Sequence, residues 1–413
     1  MQNIKNKKTL YFISQFFSPD FAATGQLLNE LTQLLSKNNF FIKVFTGMPS
    51  YQNIKSKAPR FELNKNIEIQ RTETSKILMK GKKGRAINGI LFCIRSFFKL
   101  ISLSKKENVL VFTSEPPYLT FLGFLLNKIK AIPYIIIQYD LYPEVIVKIG
   151  LIDEKNLLIN LWKNLNFFIY KNASEIIVLS HPMKKIILSY DKNLAKKIHV
   201  IPSWANNKHI VPIAKTDNWF VKKYNLENRF VVMYSGNQGR CHDLSTLIET
   251  AKMLKERKKI VFVFIGDGFQ NKNLKKEKEI YELENCYFLP YQKYSDLPFS
   301  LSSADLAIVS LARGFESLVA PSKLYGHLTS ATPIAAISPN NSYLKELIEN
   351  EKFGLWFNNG ENKRLSEWII KLSKNPKLKI AYGERGLNFV NRTCTPKIIT
   401  NRYSKIFSKY IDT

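Results

Sequence analysis

The sequence predicts two α/β domains, each a doubly wound parallel sheet with helices on both faces. Three observations predict this class: short apolar runs alternate with longer helical patterns, the alternation passes through the chain twice, and several runs are apolar at consecutive positions. Parallel strands that are buried on both faces have this pattern. A chain of 413 residues also exceeds what one hydrophobic core usually supports.

The predicted strands are short segments rich in β-branched and aromatic residues. In the first half they are Thr9–Ser14, Phe41–Thr46, Val109–Thr113, Tyr134–Gln138, Ile176–Ser180 and His199–Pro202. In the second half they are Phe230–Ser235, Ile260–Ile265, Cys286–Leu289, Leu306–Ser310, Pro333–Ile337 and Gly354–Phe357. Helical segments such as Gln26–Lys37 and Leu244–Lys255 separate them.

The alternating strand and helix patterns are interrupted around Trp204–Asn218, which we interpret as an interdomain linker. This interpretation predicts a first domain over residues 1–205, a linker over 206–218 and a second domain over 219–394. Residues 395–413 are predicted to form a helix that crosses back onto the first domain. Two such domains would face each other across a cleft between the carboxyl ends of their sheets, where ligands of open α/β sheets bind.

The charge of the chain is strongly positive: 62 Lys and Arg against 33 Asp and Glu give +29. Such a balance indicates a polyanionic partner, either nucleic acid or an anionic membrane face. A compositional bias toward Lys and Asn explains it equally well. The four cysteines are far apart and form no CxxC pair, so the sequence predicts neither a zinc site nor a disulfide framework and fits a reducing cytosol. No Asp-x-Asp pair or His cluster predicts a bound metal, and no apolar stretch is long enough to span a bilayer.

Three loops of the second half have the composition of phosphate-binding turns. The strand Phe230–Ser235 runs into a turn with Gly236, Gly239 and Arg240, followed by a helix whose N-terminal N–H groups favour phosphate. A second strand ends in Gly266–Asp267–Gly268, and a third loop ends in Pro321–Ser322–Lys323 before a helix. The glycines are explained equally well by ordinary tight turns. None of these loops is a Walker P-loop or a GxGxxG turn, so ATPase and NAD-enzyme functions lose support.

These loops occur in an order that resembles a known family. The segments GN-x-GR, GDG, LPYQ, PSK-LY-G and TP, together with DLYPE in the first half, are similar to those of retaining GT-B glycosyltransferases of family 4. The closest resemblance is to the branch that builds bacterial O-antigen and exopolysaccharide repeat units. It covers the chain from Ser14 to about Val390. The resemblance implies the GT-B fold, in which two Rossmann-like domains face each other across a cleft.

The resemblance also implies roles for individual residues. Gly25 lies in the first glycine-containing loop, which in the family faces the donor phosphates. The residues implied at the donor diphosphate and sugar are Gly236, Asn237, Arg240, Ser322, Lys323 and, beside the sugar, Glu316. A purely structural role is an equally good interpretation of Glu316. Those implied at the nucleobase are Gly266, Pro290, Tyr291 and Gln292.

The chain departs from the family pattern at three positions. The family carries two glutamates eight positions apart, and alignment on TSATP places Leu318 and Gly326 there. Glu316 is two residues too early, which leaves the carboxylate contact to the ribose open. The diphosphate-binding lysine of the family is replaced by His242.

The acceptor side is predicted in the first half of the chain. Asp140 follows the strand Tyr134–Gln138 directly, so it is a candidate to orient an acceptor hydroxyl or accept its proton. An equally good interpretation is that Asp140 caps the following turn. Glu144 belongs to the same motif, and Glu115 ends the neighbouring strand.

Basic residues concentrate in residues 51–106, which hold 14 Lys and Arg against 3 Asp and Glu. Within this segment Arg85–Lys106 is predicted to be an amphipathic helix, preceded by a basic loop at Lys80–Arg85. Its apolar stripe comprises Ile87, Leu91, Ile94, Phe98 and Ile101, and the other side carries Asn88, Arg95, Lys99, Ser102 and Lys106. A basic amphipathic helix suits an anionic bilayer surface, although a helix that covers the sheet with a solvated basic face has the same pattern.

The sequence as a whole predicts a retaining transferase that moves a sugar from a nucleotide-sugar to a lipid-linked saccharide. We expect it to act without a metal cofactor, in the cytoplasm, bound peripherally to the inner face of the plasma membrane. The alternatives are a nucleotide-sugar epimerase, an inactive homologue and a nucleic-acid-binding protein. The last has no recognised motif in the sequence, and the positive charge is spread over both halves.

Overall fold

The computed structural model describes residues 9–20, 22–49, 58–73, 81–103 and 108–411, with residues 23, 81–83 and 85 described by their backbone alone. The chain divides into two compact units. Unit 1 comprises residues 1–202 and 396–413, and unit 2 comprises residues 203–395. The segment 206–218, predicted as a linker, groups with unit 2. Each unit is built around its own sheet.

The sheet of unit 1 has eight strands in the described part of the chain. They are β1 (Thr9–Ile13), β2 (Ile42–Gly47), β3 (Phe61–Asn64), β4 (Ile67–Thr72), β5 (Asn108–Thr113), β6 (Tyr134–Gln138), β7 (Glu175–Val178) and β8 (Ile198–Val200). Their order is β3-β4-β2-β1-β5-β6-β7-β8, and all neighbours are parallel except β3, which pairs antiparallel with β4. Every residue of β5, β6 and β7 is buried, as expected for strands covered on both faces.

The helices of unit 1 form two layers. They are α1 (Ala23–Lys37), α2 (Gly81–Leu100), α3 (Thr120–Lys130), α4 (Glu144–Lys148), α5 (Leu157–Asn172), α6 (His181–Tyr190) and the last helix of the chain, α15 (Pro396–Ile411). The crossovers that contain α2, α3 and α5 run in one direction across the sheet, so right-handed connection places these helices on one face. The α1 crossover runs the opposite way, which places α1 on the other face, where α15 packs beside it.

Unit 2 has a parallel sheet of six strands in the described residues. They are β9 (Phe230–Ser235), β10 (Ile260–Ile265), β11 (Cys286–Leu289), β12 (Leu306–Ser310), β13 (Ile334–Ile337) and β14 (Gly354–Phe357). Its helices are α7 (Trp219–Lys223), α8 (Ser245–Met253), α9 (Asn271–Ile280), α10 (Leu297–Ser302), α11 (Lys323–Thr329), α12 (Tyr343–Glu351), α13 (Asn362–Ser373) and α14 (Pro376–Thr393). The strand order is β11-β10-β9-β12-β13-β14. The direction of winding therefore reverses between β9 and β12, as it does between β1 and β5 in unit 1, and such a switch point is where open α/β sheets bind ligands.

All twelve predicted strands are confirmed, with ends that differ by at most two residues. The sequence analysis missed the hairpin of β3 and β4. The burial of β4 alternates along the strand and β3 is mostly exposed, so this hairpin lacks the continuous apolar run that marks the other strands. It lies at the edge of the sheet, where one side of a strand faces solvent.

Helix α2 corrects two predictions. The segment Lys80–Arg85 was predicted to be a loop, but the helix begins at Gly81, and Lys80 lies outside the described residues. The predicted helix ran to Lys106, whereas α2 ends at Leu100 and Lys106 lies outside the described residues.

The face that α2 buries is also different from the predicted apolar stripe. The buried residues among the described side chains are Gly84, Gly89, Phe92, Cys93, Ser96 and Leu100. Gly89 permits this approach, because a Cβ atom there would lie 2.5 Å from Tyr118 Oη. Of the predicted stripe, Ile87, Ile94 and Phe98 are exposed. The helix therefore packs on the sheet and still presents an apolar stripe outward.

Glu175 joins three parts of unit 1. It begins β7 and is 5% exposed. His199 Nε2 lies 2.7 Å from its Oε2, while Lys409 Nζ and Tyr410 Oη donate to its Oε1 at 2.9 and 3.0 Å. Burial alone would raise the pKa of this carboxyl, but the hydrogen bonds from His199 and Lys409 outweigh it, so the pKa is lowered from 4.5. The carboxylate thereby fixes α15 to the sheet.

Replacing Glu175 with glutamine is expected to lower the free energy of unfolding by about 2 kcal/mol at pH 7, because buried charged hydrogen bonds are lost. A carboxyl with a lowered pKa contributes its stability above the unfolded-state pKa of 4.5 and loses it as the pH falls through the folded-state value. The difference between variant and wild type should therefore shrink below about pH 4.5 in urea titrations. The control is Glu154→Gln, which alters the exposed pair with Lys163 and should change stability by less than about 0.5 kcal/mol. Equal effects at both positions would contradict the role of Glu175.

Candidate functional site

The loops after β9 and β10 meet at the switch point of unit 2. Gly236 and Gly266 both have positive φ angles, +131° and +114°. A Cβ atom at Gly266 would lie 2.3 Å from the carbonyl oxygen of Gly236, so only glycine permits this approach. A Cβ atom at Gly236 would lie 3.1 Å from Lys323 Cε. The two glycine turns and the lysine, which were predicted separately, thus form one site.

Lys323 begins α11 and is held by two acceptors. Its Nζ donates to Tyr234 Oη at 2.8 Å and lies 3.0 Å from His242 Nε2. Tyr234 is fully buried at the end of β9, and its own hydroxyl donates to the carbonyl oxygen of Asn237 at 2.7 Å. Because an ammonium has three protons, these two bonds leave one for a ligand above the Gly236 turn.

His242 is a neutral acceptor and not a second cation. Its Nδ1 lies 2.7 Å from the carbonyl oxygen of Ser310, which accepts the Nδ1 proton. The unprotonated Nε2 then faces Lys323 and accepts from it. Burial, followed by the charge of Lys323, lowers the pKa of His242 to about 3. The positive charge that the family places at this position is therefore not supplied by His242.

The charge state of Lys323 depends on its surroundings. Burial lowers the pKa of Lys323 to about 7. An anion that replaces the lost solvation favours the charged form and raises this pKa. His327, one helical turn further on, is fully buried, and burial with the charge of Lys323 lowers its pKa to about 3. The site therefore holds one titrating cation beside neutral polar groups, which suits a phosphate or diphosphate.

Arg240 lies in the same loop but is oriented by an aromatic ring. Its guanidinium carbon lies 3.5 Å from the centre of the Phe269 ring, and that ring is 53% exposed. The helix N-terminus expected after this loop is that of α8, and one of its N–H groups is engaged within the protein. Asp243 accepts from the backbone N of Thr246 at 3.0 Å and from the hydroxyls of Ser245 and Thr246. This side chain therefore occupies part of the first turn of α8.

Glu316 and Ser322 lie in the loop between β12 and α11. Glu316 Oε2 accepts from the backbone N of Gly314 at 2.6 Å, and Oε1 accepts from Asn341 Nδ2 at 3.3 Å. The carboxylate therefore holds the turn at Gly314, where φ is +86°. Ser322 directly precedes Lys323. At Gly326 an added Cβ atom would lie 3.1 Å from the terminal methyl group Cδ1 of Leu301.

The residues predicted to hold the nucleobase follow β11 at the same edge of the sheet. Tyr291 Oη donates to the carbonyl oxygen of Asp267 at 3.2 Å, which fixes the ring beside the Gly266 turn. Gln292 Nε2 donates to the carbonyl oxygen of Pro290 at 2.7 Å. One backbone acceptor of this segment is therefore already engaged by a side chain.

In unit 1, carboxyl groups gather where β5 and β6 end. Glu115 Oε2 accepts from Thr24 Oγ1 at 3.0 Å, which links the end of β5 to the start of α1. Ser114 Oγ accepts from the backbone N of Asp140 at 3.2 Å. Burial is the largest cause of the raised pKa of Glu115, and the charge of Asp20, which is 3% exposed, raises it further. This cluster spans the switch point between β1 and β5.

The electrostatics of the cluster suit proton transfer. Burial, and then the charge of Glu115, raise the pKa of Asp140 to about 7. Burial also raises the pKa of Glu115. A carboxyl group whose pKa lies near neutrality can accept a proton in one step and release it in another.

The two other predicted residues of unit 1 have structural contacts. A Cβ atom at Gly25 would lie 3.0 Å from the backbone N of Phe17, so this glycine allows α1 to approach the loop after β1. Glu144 begins α4, and its Oε1 accepts from Tyr190 Oη at 2.6 Å. Glu144 thus pairs with α6.

Four residues of these sites were missed from the sequence: Tyr234, Thr24, Ser114 and Asp20. Tyr234 lies inside an apolar strand and looks like core. Ser114 and Thr24 are common residues of strand ends and helix starts, so neither stands out. Asp20, in the SPDF segment before Gly25, was the one visible signal, because an acidic residue there is rare in so basic a chain.

The described residues contain no group of three or more His, Cys, Asp or Glu side chains placed to hold a metal ion. Within the same residues, no helix has the length and apolar composition needed to cross a membrane.

Comparison with known proteins identifies the domain that contains the lysine site. The family "Glycosyl transferases group 1" matches residues 215–389. Two relatives carry provisional names as glycosyltransferases. WbjE of Pseudomonas aeruginosa is 23% identical over 288 residues, 70% of each chain. WcaI of Escherichia coli, named for colanic acid biosynthesis, is 22% identical over 326 residues, 75% of this chain and 78% of its own.

Solved structures show the same fold at low identity. Sucrose-phosphate synthase of Thermosynechococcus elongatus superposes with a TM-score of 0.77 at 14% identity, covering 98% of this chain and 99% of its own. HepE of Anabaena, solved with UDP and glucose, superposes with a TM-score of 0.72 at 14% identity, covering 97% and 100%. With two Rossmann-like sheets and a group 1 glycosyltransferase domain at residues 215–389, the protein is a glycosyltransferase of GT-B fold.

Proposed function

We propose that the enzyme transfers a sugar from a nucleotide-sugar to a lipid-linked saccharide, with retention of the anomeric configuration and without a metal cofactor. The observation that carries the donor side is Lys323, held by Tyr234 and His242 above the Gly236 turn. This arrangement presents a single ammonium proton at the switch point of the sheet in unit 2, where a diphosphate would lie.

In this proposal the departing nucleoside diphosphate is stabilised by cations of the protein. The leaving group gains negative charge as the bond to the sugar breaks, and the cations nearby are Lys323, which begins α11, and Arg240, in the loop after β9. Preorganised charge of this kind is commonly the largest contribution to catalysis. Tyr291 supports the nucleobase side, since its ring is fixed beside the Gly266 turn. The ring of Phe269, stacked on Arg240, limits where the guanidinium can move.

Asp140 is proposed to act on the acceptor. It would orient the attacking hydroxyl group and accept its proton, with burial and then the charge of Glu115 raising the pKa of Asp140. We propose front-face attack without a covalent intermediate on the enzyme. The support for retention is the resemblance of the ordered motifs to the retaining family, and NMR of the anomeric linkage in the product tests it.

The lipid-linked acceptor and a location at the inner face of the plasma membrane are part of the same proposal. WcaI, a relative named for colanic acid biosynthesis, supports a polysaccharide product. The net charge of +29 supports an anionic surface as a partner.

A thermal-shift screen against UDP-, GDP-, ADP- and dTDP-sugars tests the donor site, with UDP-glucose first because HepE was solved with UDP and glucose. A ligand that binds only the native state raises the melting temperature, and a hundredfold excess over the dissociation constant adds about 2.7 kcal/mol. We expect one nucleotide class to shift the transition without added metal, and Arg240→Ala to reduce that shift. Arg385→Ala, which removes an arginine that lies over the Tyr382 ring in α14, is the control.

The alternatives predict other results. An epimerase would turn over the nucleotide-sugar in the absence of an acceptor. An inactive homologue would show the thermal shift without turnover. A nucleic-acid-binding protein would show no shift with any nucleotide-sugar and salt-dependent binding to nucleic acid.

A further inference from the structure

The outer surface of one helical layer in unit 1 is apolar to an unusual degree. Nine exposed large apolar side chains lie on α2, α3 and α5: Ile87, Ile90, Ile94, Phe98, Ile129, Leu157, Leu158, Leu161 and Phe168. On α5 the exposures reach 79% at Leu157 and 63% at Leu161. In the same described part of unit 1, α1, α6 and α15 expose no such residue. Among the described helices of unit 1 the exposed large apolar side chains therefore concentrate on α2, α3 and α5, while β3 exposes Phe61 and Leu63 at the edge of the sheet.

These three helices are neighbours and form a continuous surface, which we call the α2–α3–α5 face. Helix α3 contacts both α2 and α5, and the common direction of their crossovers places all three on one face of the sheet. Each helix buries a different set of residues inward. For α5 these are Ile159, Asn166, Ile169 and Tyr170. The outward leucines of α5 are therefore not needed to pack the helix against the core, because other residues of α5 do this.

The three helices of the α2–α3–α5 face carry basic residues and no acidic ones, and the one acidic partner recorded for them in a described ion pair is Glu154, which precedes α5 and pairs with Lys163. Helix α2 contains five Lys and Arg, α3 contains two and α5 contains two, and none of the three contains Asp or Glu. Lys128 Nζ lies 5.7 Å from the centre of the Phe124 ring, and Lys171 Nζ lies 5.4 Å from that of Phe167. These lysines lay their stems along apolar surface and keep their ammonium groups at its rim.

The combination of exposed apolar side chains and basic residues indicates whether a protein or a bilayer covers the α2–α3–α5 face. A protein–protein interface normally sets charges of opposite sign against each other, which requires a partner surface with a matching pattern of acidic residues. A bilayer surface instead accepts apolar side chains into the acyl boundary and attracts cations to anionic headgroups. We propose that the α2–α3–α5 face is a membrane-docking surface on which α5 inserts leucine and phenylalanine side chains into the acyl boundary of an anionic bilayer. The proposal rests on the lipid-linked acceptor of the proposed function and specifies how the enzyme reaches it.

Insertion and charge attraction respond differently to salt. Salt screens the attraction between exposed charges, with a screening length of about 8 Å at physiological ionic strength that shortens as salt is added. The free energy gained by burying apolar area is not screened. The bound fraction that persists at high salt therefore measures insertion.

The test uses the full-length protein and vesicles of phosphatidylcholine, with and without one third phosphatidylglycerol, in a sedimentation assay at low and high salt. The variant is Leu157→Ser/Leu161→Ser/Phe168→Ser on α5. The matched control is Met253→Ser/Ile280→Ser/Ile380→Ser, three similarly exposed side chains of unit 2. We expect the α5 variant to lose at least about tenfold in partition coefficient at high salt, and the control to match wild type. Arg95→Gln/Lys128→Gln/Lys130→Gln should weaken binding to the phosphatidylglycerol vesicles at low salt.

Three results would overturn the proposal. One is an α5 variant that sediments like wild type, and another is a control variant that loses as much as the α5 variant. The third is a wild type that forms dimers in light scattering which the α5 variant abolishes, with vesicle binding unchanged, since the face would then bind a second copy of the chain. The thermal shift by a nucleotide-sugar is measured on the same variants and reports the donor site separately.

Discussion

Replacing Lys323 with methionine is expected to lower the rate of sugar transfer by about two to three orders of magnitude. Methionine keeps most of the side-chain volume above Gly236, so the effect reports the lost charge and not a cavity. The ammonium is the group that Tyr234 and His242 hold in position. Transfer from a labelled nucleotide-sugar to a saccharide acceptor measures the rate, and the melting temperature confirms that the variant is folded.

The control for this variant is Lys345→Met. Lys345 belongs to the same unit and also lies over an aromatic ring, at 4.6 Å from the centre of the Trp356 ring, but it is in α12, where its Nζ lies 3.8 Å from Glu349 Oε1. Its replacement should change the rate by less than about threefold. If both variants lose activity equally, the site of the diphosphate has been assigned to the wrong lysine.

The pH dependence of donor binding gives an independent check on Lys323. With a pKa of about 7 in the free enzyme, the side chain is charged below pH 7 and increasingly neutral above it. Because a diphosphate binds the charged form, the donor dissociation constant should rise as the pH increases through 7. Binding to Lys323→Met should be weak at every pH and lack this dependence.

The substitution Asp140→Asn is expected to reduce kcat by about two to four orders of magnitude with little change in donor affinity. The amide keeps the size of the side chain and cannot accept a proton. For the wild type, the pKa of about 7 predicts that kcat rises with pH up to neutrality, where Asp140 becomes ionised. A pH profile of kcat with saturating donor measures this limb.

Two neighbouring acids provide the controls for Asp140. Glu115→Gln removes a charge that raises the pKa of Asp140, so the rising limb of the profile should move to lower pH. Glu144→Gln changes the acid that pairs with Tyr190, and it should leave the profile unchanged. If the profile shifts with Glu144→Gln and not with Glu115→Gln, the assignment of Asp140 as the base is wrong.

Much of the architecture could be predicted from the sequence because strand patterns are local. Buried parallel strands are apolar at consecutive positions, and this signal gave all twelve predicted strands. The hairpin of β3 and β4 escaped because an edge hairpin that is partly solvated carries no such run. The order of the strands, and with it the switch points, depends on pairing between distant segments.

The sites divide in a similar way. Gly236, Gly266 and Lys323 were visible as turns and a charge, since glycine and lysine are distinctive at strand ends. Their convergence was not visible, because 87 positions of chain separate Gly236 from Lys323. The partners of Lys323 were not visible for the same reason: Tyr234 has the appearance of a core residue, and nothing in the sequence shows that His242 accepts a hydrogen bond from the lysine.

By itself, the sequence determined the two-sheet class, the strands, the resemblance to family 4 and the basic character of α2. Only the tertiary structure decided which face of α2 is buried, since both of its stripes are apolar and packing at Gly89 against Tyr118 selects one. It also decided that His242 is neutral and that Asp140 titrates near neutrality. Both follow from burial and from charges that are distant in the chain, because these determine the free energy of the ionised form of each side chain.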